Sequence, residues 1–240
     1  MQADEKKRRR FRSIRLFVII LAAAVALAFV VSLMRGDDDS SDEASGKAPT
    51  NFATTCDTAL PTKAKSNSLP KPGIAIDTSK QYTAVLHTTE GDVTIALDAA
   101  TAPQTVNSFV YLSCKGFYNG TTFHRIVTDF VDQGGDPKGD GSGGPGYKVK
   151  DEPPSSPYTA GSVAMANSGK GTTGSQFFLT VSDSGAATLN ANGSDPYLYN
   201  ALGTMDAAGL EVAKTINSFG SATGTPTKTI MINGVTITAT

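Results

Sequence analysis

The sequence feature that most constrains the fold is a run of 19 residues, Leu16 to Met34, in which Ser32 is the only polar residue. An α-helix rises 1.5 Å per residue, so about 20 apolar residues cross the hydrocarbon core of a bilayer. Basic residues precede the run and the acidic sequence "RGDDDSSDE" follows it. Because basic flanks remain in the cytoplasm, the pattern predicts a signal anchor over residues 16–35 and a cytoplasmic tail over residues 1–15.

A cleaved signal peptide is the alternative interpretation of the same run. Its apolar core is usually about 7–15 residues long, which is shorter than the run observed. Small residues such as Ala26 and Ala28 lie inside the run and permit a cleavage site. We therefore expect a single-pass protein of the cell membrane with an extracytoplasmic domain, or a secreted protein if the segment is cleaved.

Residues 36–78 have the composition of a linker. Acidic residues, Ser, Ala, Lys and Pro dominate this segment, and no apolar period of 2 or 3.6 residues persists in it. We expect a flexible connection here, followed by one folded domain over residues 79–240.

From Tyr82 onward the pattern changes to that of a β-rich domain. The sequence "YTAVLHTTEGDVTIALD" alternates apolar and polar residues on both sides of Gly91, which predicts a hairpin. Helical spacing in "APQTVNSFVYLSCKG" and in "DAAGLEVAKTI" predicts two helices. Several further strand patterns accompany them, so we expect a mainly β fold, a closed antiparallel barrel with two capping helices.

Charge and histidine content argue against several function classes. The formal net charge is −1 and the pI is about 6.1, so nothing points to nucleic acid as a partner. His87 and His124 are the only histidines, and neither has a second His or a Cys at ligand spacing, so no metal is expected. The sequence "GDGSGG" matches a dinucleotide fingerprint literally, but Pro145 follows it where a helix is required, so no cofactor is expected.

The chain has two cysteines, Cys56 in the predicted linker and Cys114 near the end of the first predicted helix. Two cysteines outside the cytoplasm often form a disulfide. The alternative is two free thiols, one of them half-buried. The sequence leaves both states open.

Two stretches of the domain carry a family resemblance. They are "FHRIVTDFVDQGGDPKGDGSGGPGYKVKDE", which begins at Phe123, and "SVAMANSGKGTTGSQFFLT", which begins at Ser162. Together they resemble the cyclophilin family of peptidyl-prolyl cis-trans isomerases. The resemblance extends in order over about residues 82 to 240. It implies an eight-stranded cyclophilin-like barrel and isomerase activity.

The implied reaction needs no nucleophile. Resonance in a peptide bond produces a rotation barrier of about 18–20 kcal/mol. Before proline, the cis and trans forms differ by only about 0.5–1 kcal/mol, yet uncatalysed exchange takes tens to hundreds of seconds. In the twisted amide the proline nitrogen regains a lone pair. A hydrogen-bond donor aimed at that nitrogen therefore stabilises the transition state without stabilising either planar form.

The resemblance places Arg125 at the position of the family's catalytic arginine, with Phe130 and Gln133 in the same catalytic set. A guanidinium stays charged and offers several N–H donors, which suits the developing lone pair. The resemblance also implies a set of substrate-binding residues: Val131, Phe178 and Leu189 around the proline ring, Ala166 and Asn167 beside the substrate backbone, Gln176 in the pocket floor, and Tyr199.

Several positions depart from the family pattern. Val131 replaces a usual methionine, and Asp132 stands where an apolar residue is usual. Tyr199 occupies a place often held by histidine. The sequence "NANGSDP", residues 190–196, is interpreted as a local insertion next to Leu189.

The expected partners follow from the reaction and from the anchor. They are proline-containing polypeptides that fold outside the cytoplasm, where proline isomerisation can limit folding, and a lipid bilayer that holds the N-terminal helix. A monomer is expected. Two alternatives stay open: a proline-peptide binding module or chaperone with little turnover, and a small-ligand barrel of the lipocalin kind, whose interior would hold a cavity.

Overall fold

The computed structural model describes residues 53–56, 68–191 and 199–240. The predicted anchor over residues 16–35, the tail before it and most of the predicted linker lie outside these ranges. Within them, no helix combines the length and the apolar character that a bilayer span requires.

Nine strands and three helices form within the described ranges. In chain order they are β1 Tyr82–Thr88, β2 Gly91–Leu97, α1 Pro103–Cys114, β3 Thr121–Thr122, β4 Arg125–Val127, β5 Val131–Gly134, β6 Ser162–Met165, β7 Phe177–Thr180, α2 Asp183–Asn190, β8 Asn200–Met205, α3 Ala207–Asn217 and β9 Met231–Ala239.

The predicted hairpin at Gly91 is confirmed by β1 and β2. The two strands pair without interruption from Tyr82 and Leu97 to Thr88 and Gly91. Their side chains alternate between buried and more exposed positions, as the alternation of apolar and polar residues requires. Gly91 has a φ of +127°, a backbone conformation that glycine adopts without a steric penalty, so the residue fits the turn.

The strands form one antiparallel sheet in the order β3-β9-β1-β2-β8-β6-β7-β5-β4. The end strands β3 and β4 have only two and three residues, and they do not pair with each other. A single isolated bridge, between Thr122 and Asp136, connects β3 to the residues that follow β5. The described sheet is therefore an open half-barrel. The expectation of a closed eight-stranded barrel is wrong, because nine strands form and the end strands are too short to build a closing ladder.

The expectation of two helices also needs correction. α1 and α3 lie where the sequence predicts them, and Pro103 opens α1, where its missing N–H costs nothing. The pattern does not predict α2, because Gly185 and other small residues in it produce no apolar period. The helix is instead started by Ser182, whose hydroxyl accepts a hydrogen bond from the Gly185 N–H.

Side chains fill the interior between the sheet and α1. Leu86 and Ile95 from the sheet and Phe109 and Leu112 from α1 are fully buried. The ring of Phe109 meets the edge of Phe177 with centroids 6.0 Å apart. The small-ligand alternative requires a cavity in this place, so the packed interior argues against it.

Cys56, in the N-terminal half of the predicted linker, is joined to the domain. Cys56 exchanges two backbone hydrogen bonds with Ile237 of β9, with N···O distances of 2.9 and 2.8 Å. A disulfide joins Cys56 to Cys114 at the end of α1, with the two Cα atoms 5.5 Å apart. The structure therefore contains the bridge, and no free thiol is present within the described residues.

Residues 68–78, also assigned to the linker from the sequence, pack along α1. The amide group of Asn107 accepts a hydrogen bond from the Ala75 N–H and donates one to the Gly73 carbonyl. Ile76 is only 6% exposed and belongs to the main core. The folded part of the chain therefore begins before residue 79, the boundary that composition alone predicts.

Candidate active site

The β4–β5 hairpin carries all three candidate catalytic side chains. In this hairpin Arg125 lies opposite Gln133, and Val127 lies opposite Val131. Opposed residues of an antiparallel pair point to the same face, so the guanidinium and the amide lie side by side. Phe130 lies in the turn that joins the two strands. A short hairpin thus places four predicted site residues on a single edge of the half-barrel: Arg125, Phe130, Val131 and Gln133.

A chain of hydrogen bonds runs from Arg125 into the glycine-rich loop. Arg125 Nη1 donates to Gln133 Oε1 at 3.3 Å, and Gln133 Nε2 donates to Gln176 Oε1 at 3.0 Å. Gln176 Nε2 donates to the carbonyl oxygens of Gly141 and Gly143, both at 2.9 Å. In each of the two glutamines, the amide oxygen accepts a hydrogen bond from the preceding group and the amide nitrogen donates to the next. The chain holds the guanidinium in one orientation.

The electrostatic state of Arg125 suits a donor role. Arg125 is the only arginine after Arg35 in the sequence. Burial lowers its pKa from the ordinary value, but a guanidinium remains charged at neutral pH. It forms no ion pair with any described residue, and the bond to Gln133 uses one of its five N–H donors. The remaining donors are available to a substrate.

An apolar cluster adjoins this polar chain. Its buried members come from five different parts of the chain: Val131, Tyr158, Ala164, Phe178, Ala186 and Leu189. Phe130, Ala166 and Tyr199 pack against the cluster and are partly exposed. The ring of Phe178 meets the edge of Tyr199 with centroids 5.1 Å apart and an interplanar angle of 85°. The cluster offers an apolar surface of the kind that binds a proline ring.

Tyr158 is a residue of this region that the sequence does not reveal. Its hydroxyl donates to the Tyr199 carbonyl at 3.0 Å, and its backbone exchanges hydrogen bonds with the Asn190 side chain. Tyr158 therefore fixes the backbone that presents Tyr199. Tyr158 lies in an irregular segment with no motif, so no sequence signal identifies it.

A polar cavity of about 290 Å³ is lined in part by the two glutamines. Its lining joins the predicted residues Gln133, Ala166, Asn167 and Gln176 to Gly141, Ser142, Gly143, Lys148, Ser168, Thr172, Gly174 and Ser175. Ala166 N–H donates to the Gln176 carbonyl at 2.8 Å, which ties the two walls of the cavity together. All ten predicted site residues thus fall in one region, made of the polar chain, the apolar cluster and this cavity.

Two further titratable groups lie near the site, the His124 ring and the Asp132 carboxyl group. The His124 ring nitrogens are buried, and burial lowers the pKa of the ring. The described residues contain no group of three side chains that could hold a metal ion. Asp132 lies beneath the hairpin, on the opposite face from Gln133.

Comparison with known proteins agrees with the fold and with these motifs. The model of the family "Cyclophilin type peptidyl-prolyl cis-trans isomerase/CLD" matches residues 83–237. The match covers more than half of the chain, so this protein belongs to the cyclophilin-type peptidyl-prolyl cis-trans isomerase family.

Curated relatives include a probable peptidyl-prolyl cis-trans isomerase B of Mycobacterium leprae, 39% identical over 67% of this chain and 57% of the relative. A Synechococcus elongatus isomerase is 48% identical over 40% of this chain and 66% of the relative. The chain thus spans somewhat less than two thirds of the length of these two relatives. A probable isomerase A of Mycobacterium bovis is 39% identical and is covered over 91% of its length.

Solved structures give the same result. A crystal structure of a Cryptosporidium parvum cyclophilin type peptidyl-prolyl cis-trans isomerase has a TM-score of 0.58 and 27% sequence identity. The alignment covers 67% of this chain and 99% of the Cryptosporidium parvum chain. A second crystal structure of that protein, in the presence of the dipeptide Ala-Pro, has a TM-score of 0.56 and 26% identity.

Proposed function

We propose that this chain catalyses the cis–trans isomerisation of X-Pro peptide bonds in polypeptides. The observation that carries the proposal is a charged guanidinium, that of Arg125, which is held beside an apolar cluster by a fixed chain of amides. The reaction requires a donor next to a binding surface for the proline ring. The site supplies both.

The polar chain has a direct role in this mechanism. Arg125 donates a hydrogen bond to the proline nitrogen as that nitrogen becomes pyramidal. Gln133 and Gln176 hold the guanidinium before the substrate arrives, because each amide is already engaged in the hydrogen bonds described. Donors that are oriented in advance need no reorganisation at the transition state, which is the condition for strong electrostatic stabilisation.

The apolar cluster and the polar cavity bind different parts of the substrate. Val131, Phe178 and Leu189 take the proline ring, with Phe130 and Tyr199 at the partly exposed margin. The backbone that flanks the proline runs past Ala166 and Asn167, where the polar cavity begins. Holding one side of the amide while the other rotates converts binding energy into a lower barrier.

The relatives support this substrate class. The curated relatives carry the name of peptidyl-prolyl cis-trans isomerases. One structure of the Cryptosporidium parvum relative was determined in the presence of Ala-Pro, the smallest peptide with a bond of this kind.

We also propose that the enzyme assists protein folding outside the cytoplasm and is held there by an anchor over residues 16–35. The apolar run, its basic and acidic flanks, and the Cys56–Cys114 disulfide support this location, since disulfides persist in oxidising compartments. Protease added to spheroplasts should release the domain from the membrane. A domain that stays fully protected, or that is recovered in the cytosolic fraction, would refute the proposed location.

The proposed activity is tested by exchange NMR on a proline tetrapeptide with the full chain. The wild type should produce cis–trans exchange cross-peaks that the peptide alone does not show. Arg125→Ala should lower the exchange rate roughly ten- to hundredfold, since a charge-assisted hydrogen bond contributes about 1.5–3 kcal/mol. Lys138→Ala removes an exposed cation of the neighbouring loop and is the matched control.

The same experiment separates catalysis from simple binding. A proline-peptide binding module would shift and broaden the peptide resonances without exchange cross-peaks. Saturable binding with no acceleration of exchange in the folded wild type would overturn the proposed activity and establish the binding module instead.

A further inference from the structure

Asp132 is a buried carboxyl group directly beneath the proposed active site. It lies in β5 between Val131 and Gln133, and its side chain faces the other side of the sheet because strand residues alternate. The residue has no exposed surface. A carboxyl group in this environment is costly unless a polar partner accompanies it. Its placement therefore calls for a reason beyond packing.

The partner of Asp132 is Asn217, the last residue of α3, which is 6% exposed. Asn217 Nδ2 donates to Asp132 Oδ1 at 2.7 Å and to the Val127 carbonyl at 3.0 Å. Asn217 Oδ1 accepts a hydrogen bond from the Asp129 N–H at 2.9 Å. One amide group thus binds the end of β4, the turn and the middle of β5.

The turn between β4 and β5 needs such support. Asp129 has a φ of +58°, a left-handed conformation that costs a non-glycine residue free energy. From the other side, Ser182 Oγ donates to the Asp129 carbonyl at 2.6 Å. The turn is therefore held between the start of α2 and the end of α3, and its own two strands contribute only three paired positions.

The surroundings of Asp132 favour its neutral form. Its Oδ2 is buried without a hydrogen-bond partner among the described residues. Burial raises the pKa of Asp132 to about 8, although the hydrogen bond from Asn217 opposes the shift. The charged groups of the packed elements are Arg125 of β4 on the opposite face, Asp129 of the turn, and Glu211 and Lys214 of α3, which pair with each other. The segment β7 carries no charged residue.

We propose that Asn217 and Asp132 are positioning residues of the isomerase, an inference that rests on the proposed function. Through three hydrogen bonds they fix the β4–β5 hairpin, and through the hairpin they fix Arg125, Phe130 and Gln133. The competent state has Asp132 neutral. When Asp132 loses its proton, a buried charge with a single hydrogen bond is left under the hairpin, and the cost of burying that charge weakens the packing that holds the hairpin in place.

This arrangement gives the enzyme a pH dependence that Arg125 cannot provide, because a guanidinium does not titrate near neutral pH. The full chain is assayed with a proline tetrapeptide from about pH 6 to about pH 9.5, across the range in which Asp132 titrates. We expect kcat/KM of the wild type to fall about tenfold with a midpoint near pH 8, mainly through kcat, since a small misplacement of the donor raises the barrier.

Three variants isolate the two residues. Asp132→Asn keeps the acceptor for Asn217 and cannot ionise, so its kcat/KM should stay level across the range. Asn217→Ala removes the three hydrogen bonds and should lower kcat about tenfold at every pH, with KM changed less than twofold. Lys214→Ala, on the exposed side of α3, is the control and should behave as the wild type.

An NMR titration gives a readout that does not depend on turnover. The backbone amides of residues 125–133 should shift together near pH 8 in the wild type and stay in place in Asp132→Asn. An inactive wild type whose hairpin amides still titrate would refute the proposed function and leave the positioning role supported.

Two other results would contradict the positioning role of Asp132 and Asn217 and leave the proposed isomerase activity intact. One such result is an active wild type whose pH profile is as level as that of Asp132→Asn and whose hairpin amide resonances do not shift near pH 8. This result would exclude a role for the titration of Asp132. Full activity in a folded Asn217→Ala protein excludes the positioning role of the amide.

Discussion

The two hairpins β1–β2 and β4–β5 are built in different ways. The first pairs seven residues of each strand, and its turn is closed locally, by Thr88 Oγ1 donating to the Gly91 carbonyl. The second pairs only three residues, and its turn is held by Ser182 and Asn217, which are 53 and 88 residues away from Asp129 in sequence. The first hairpin is a product of local sequence, and the second is a product of tertiary structure.

The difference between the two hairpins separates a region that stabilises the fold from a region that carries the candidate site. The β1–β2 hairpin, β9 and α1 form a packed and disulfide-linked region that carries none of the candidate site residues. The β4–β5 hairpin, β7 and α2 carry six of the ten, with a strained turn and a buried carboxyl, and the other four lie in loops next to β6, β7 and β8: Ala166, Asn167, Gln176 and Tyr199. Changes in the first region should therefore affect stability alone, whereas changes in the second should also affect turnover. We call the first the structural region and the second the site region.

The largest effect is expected from breaking the disulfide in the structural region. It closes a loop with a sequence separation of 58, so Cys114→Ser should lower the free energy of unfolding by about 2–4 kcal/mol. Urea denaturation measures this change, and kcat/KM should stay within about twofold of the wild type. Cys56→Ser is the matched variant, because it removes the same bond from the other end. Unchanged stability in both variants would show that the bridge does not form in the protein in solution.

The next effect is expected at Gly203, in β8 of the sheet. A Cβ atom there would collide with the Ala96 carbonyl oxygen of β2, so the two strands must separate. Gly203→Ala should lower the free energy of unfolding by about 3 kcal/mol. Gly144→Ala has open space around its Cβ position and is the control. Equal thermal midpoints for the two variants would contradict the tight β2–β8 contact.

These predictions rest on features that the sequence shows to different degrees. Alternation around Gly91 and the helical spacing after Pro103 predict the β1–β2 hairpin and α1, because local periodicity decides both. The strand count and the open edge are not predictable in this way, since they depend on how far β3 and β4 pair. The contacts of Asn217 and Tyr158 connect residues that are distant in sequence, and neither residue belongs to a motif.

The candidate site shows the same division. The resemblance identifies Arg125, Gln133 and Gln176 as residue types at particular positions. It does not predict that their side chains form one chain of hydrogen bonds, or that this chain ends on the carbonyls of the glycine-rich loop. The sequence shows Asp132 as a departure from the family pattern. Its role depends on Asn217, which only the fold brings near.

In the site region, Asp132→Asn should stabilise the protein at neutral pH. The folded pKa is about 8 and the ordinary value is 3.8, so the folded state keeps a proton that the unfolded state has released. Stability of the wild type should therefore fall as pH rises from about 4 to about 8 and stay level above that. The asparagine side chain of the variant does not titrate, so the variant should gain stability over the wild type at pH 7, by an amount that the pKa difference limits to about 4 kcal/mol, and little at pH 4.

Urea denaturation at about pH 4, pH 7 and pH 9 checks this prediction, with the exposed Asp183→Asn on α2 as the control. A difference between Asp132→Asn and the wild type that is the same at all three pH values would contradict a buried neutral carboxyl.

A smaller effect on stability, accompanied by an effect on turnover, is expected at Gly185. A Cβ atom there would lie 2.7 Å from the Phe130 carbonyl oxygen and 3.0 Å from the Phe130 Cα, so α2 must move away from the turn. Gly185→Ala should lower kcat/KM about tenfold. Its free energy of unfolding should fall by at most about 2 kcal/mol, because the better helix propensity of alanine offsets part of the cost of the contact with the Phe130 backbone. Thr188→Ala, on the exposed side of α2, is the control, and equal kcat/KM in the two variants would show that the contact does not position Phe130.

The most direct test of the account is the separate measurement of kcat and KM for Arg125→Lys with a proline peptide. Lysine keeps the positive charge but lacks the planar set of donors that Gln133 and Gln176 orient. If Arg125 acts on the twisted amide, kcat should fall at least about tenfold while KM stays within about twofold of the wild type. An unchanged kcat with a raised KM would show that Arg125 only binds the substrate, and it would contradict the central claim that this hairpin catalyses the rotation.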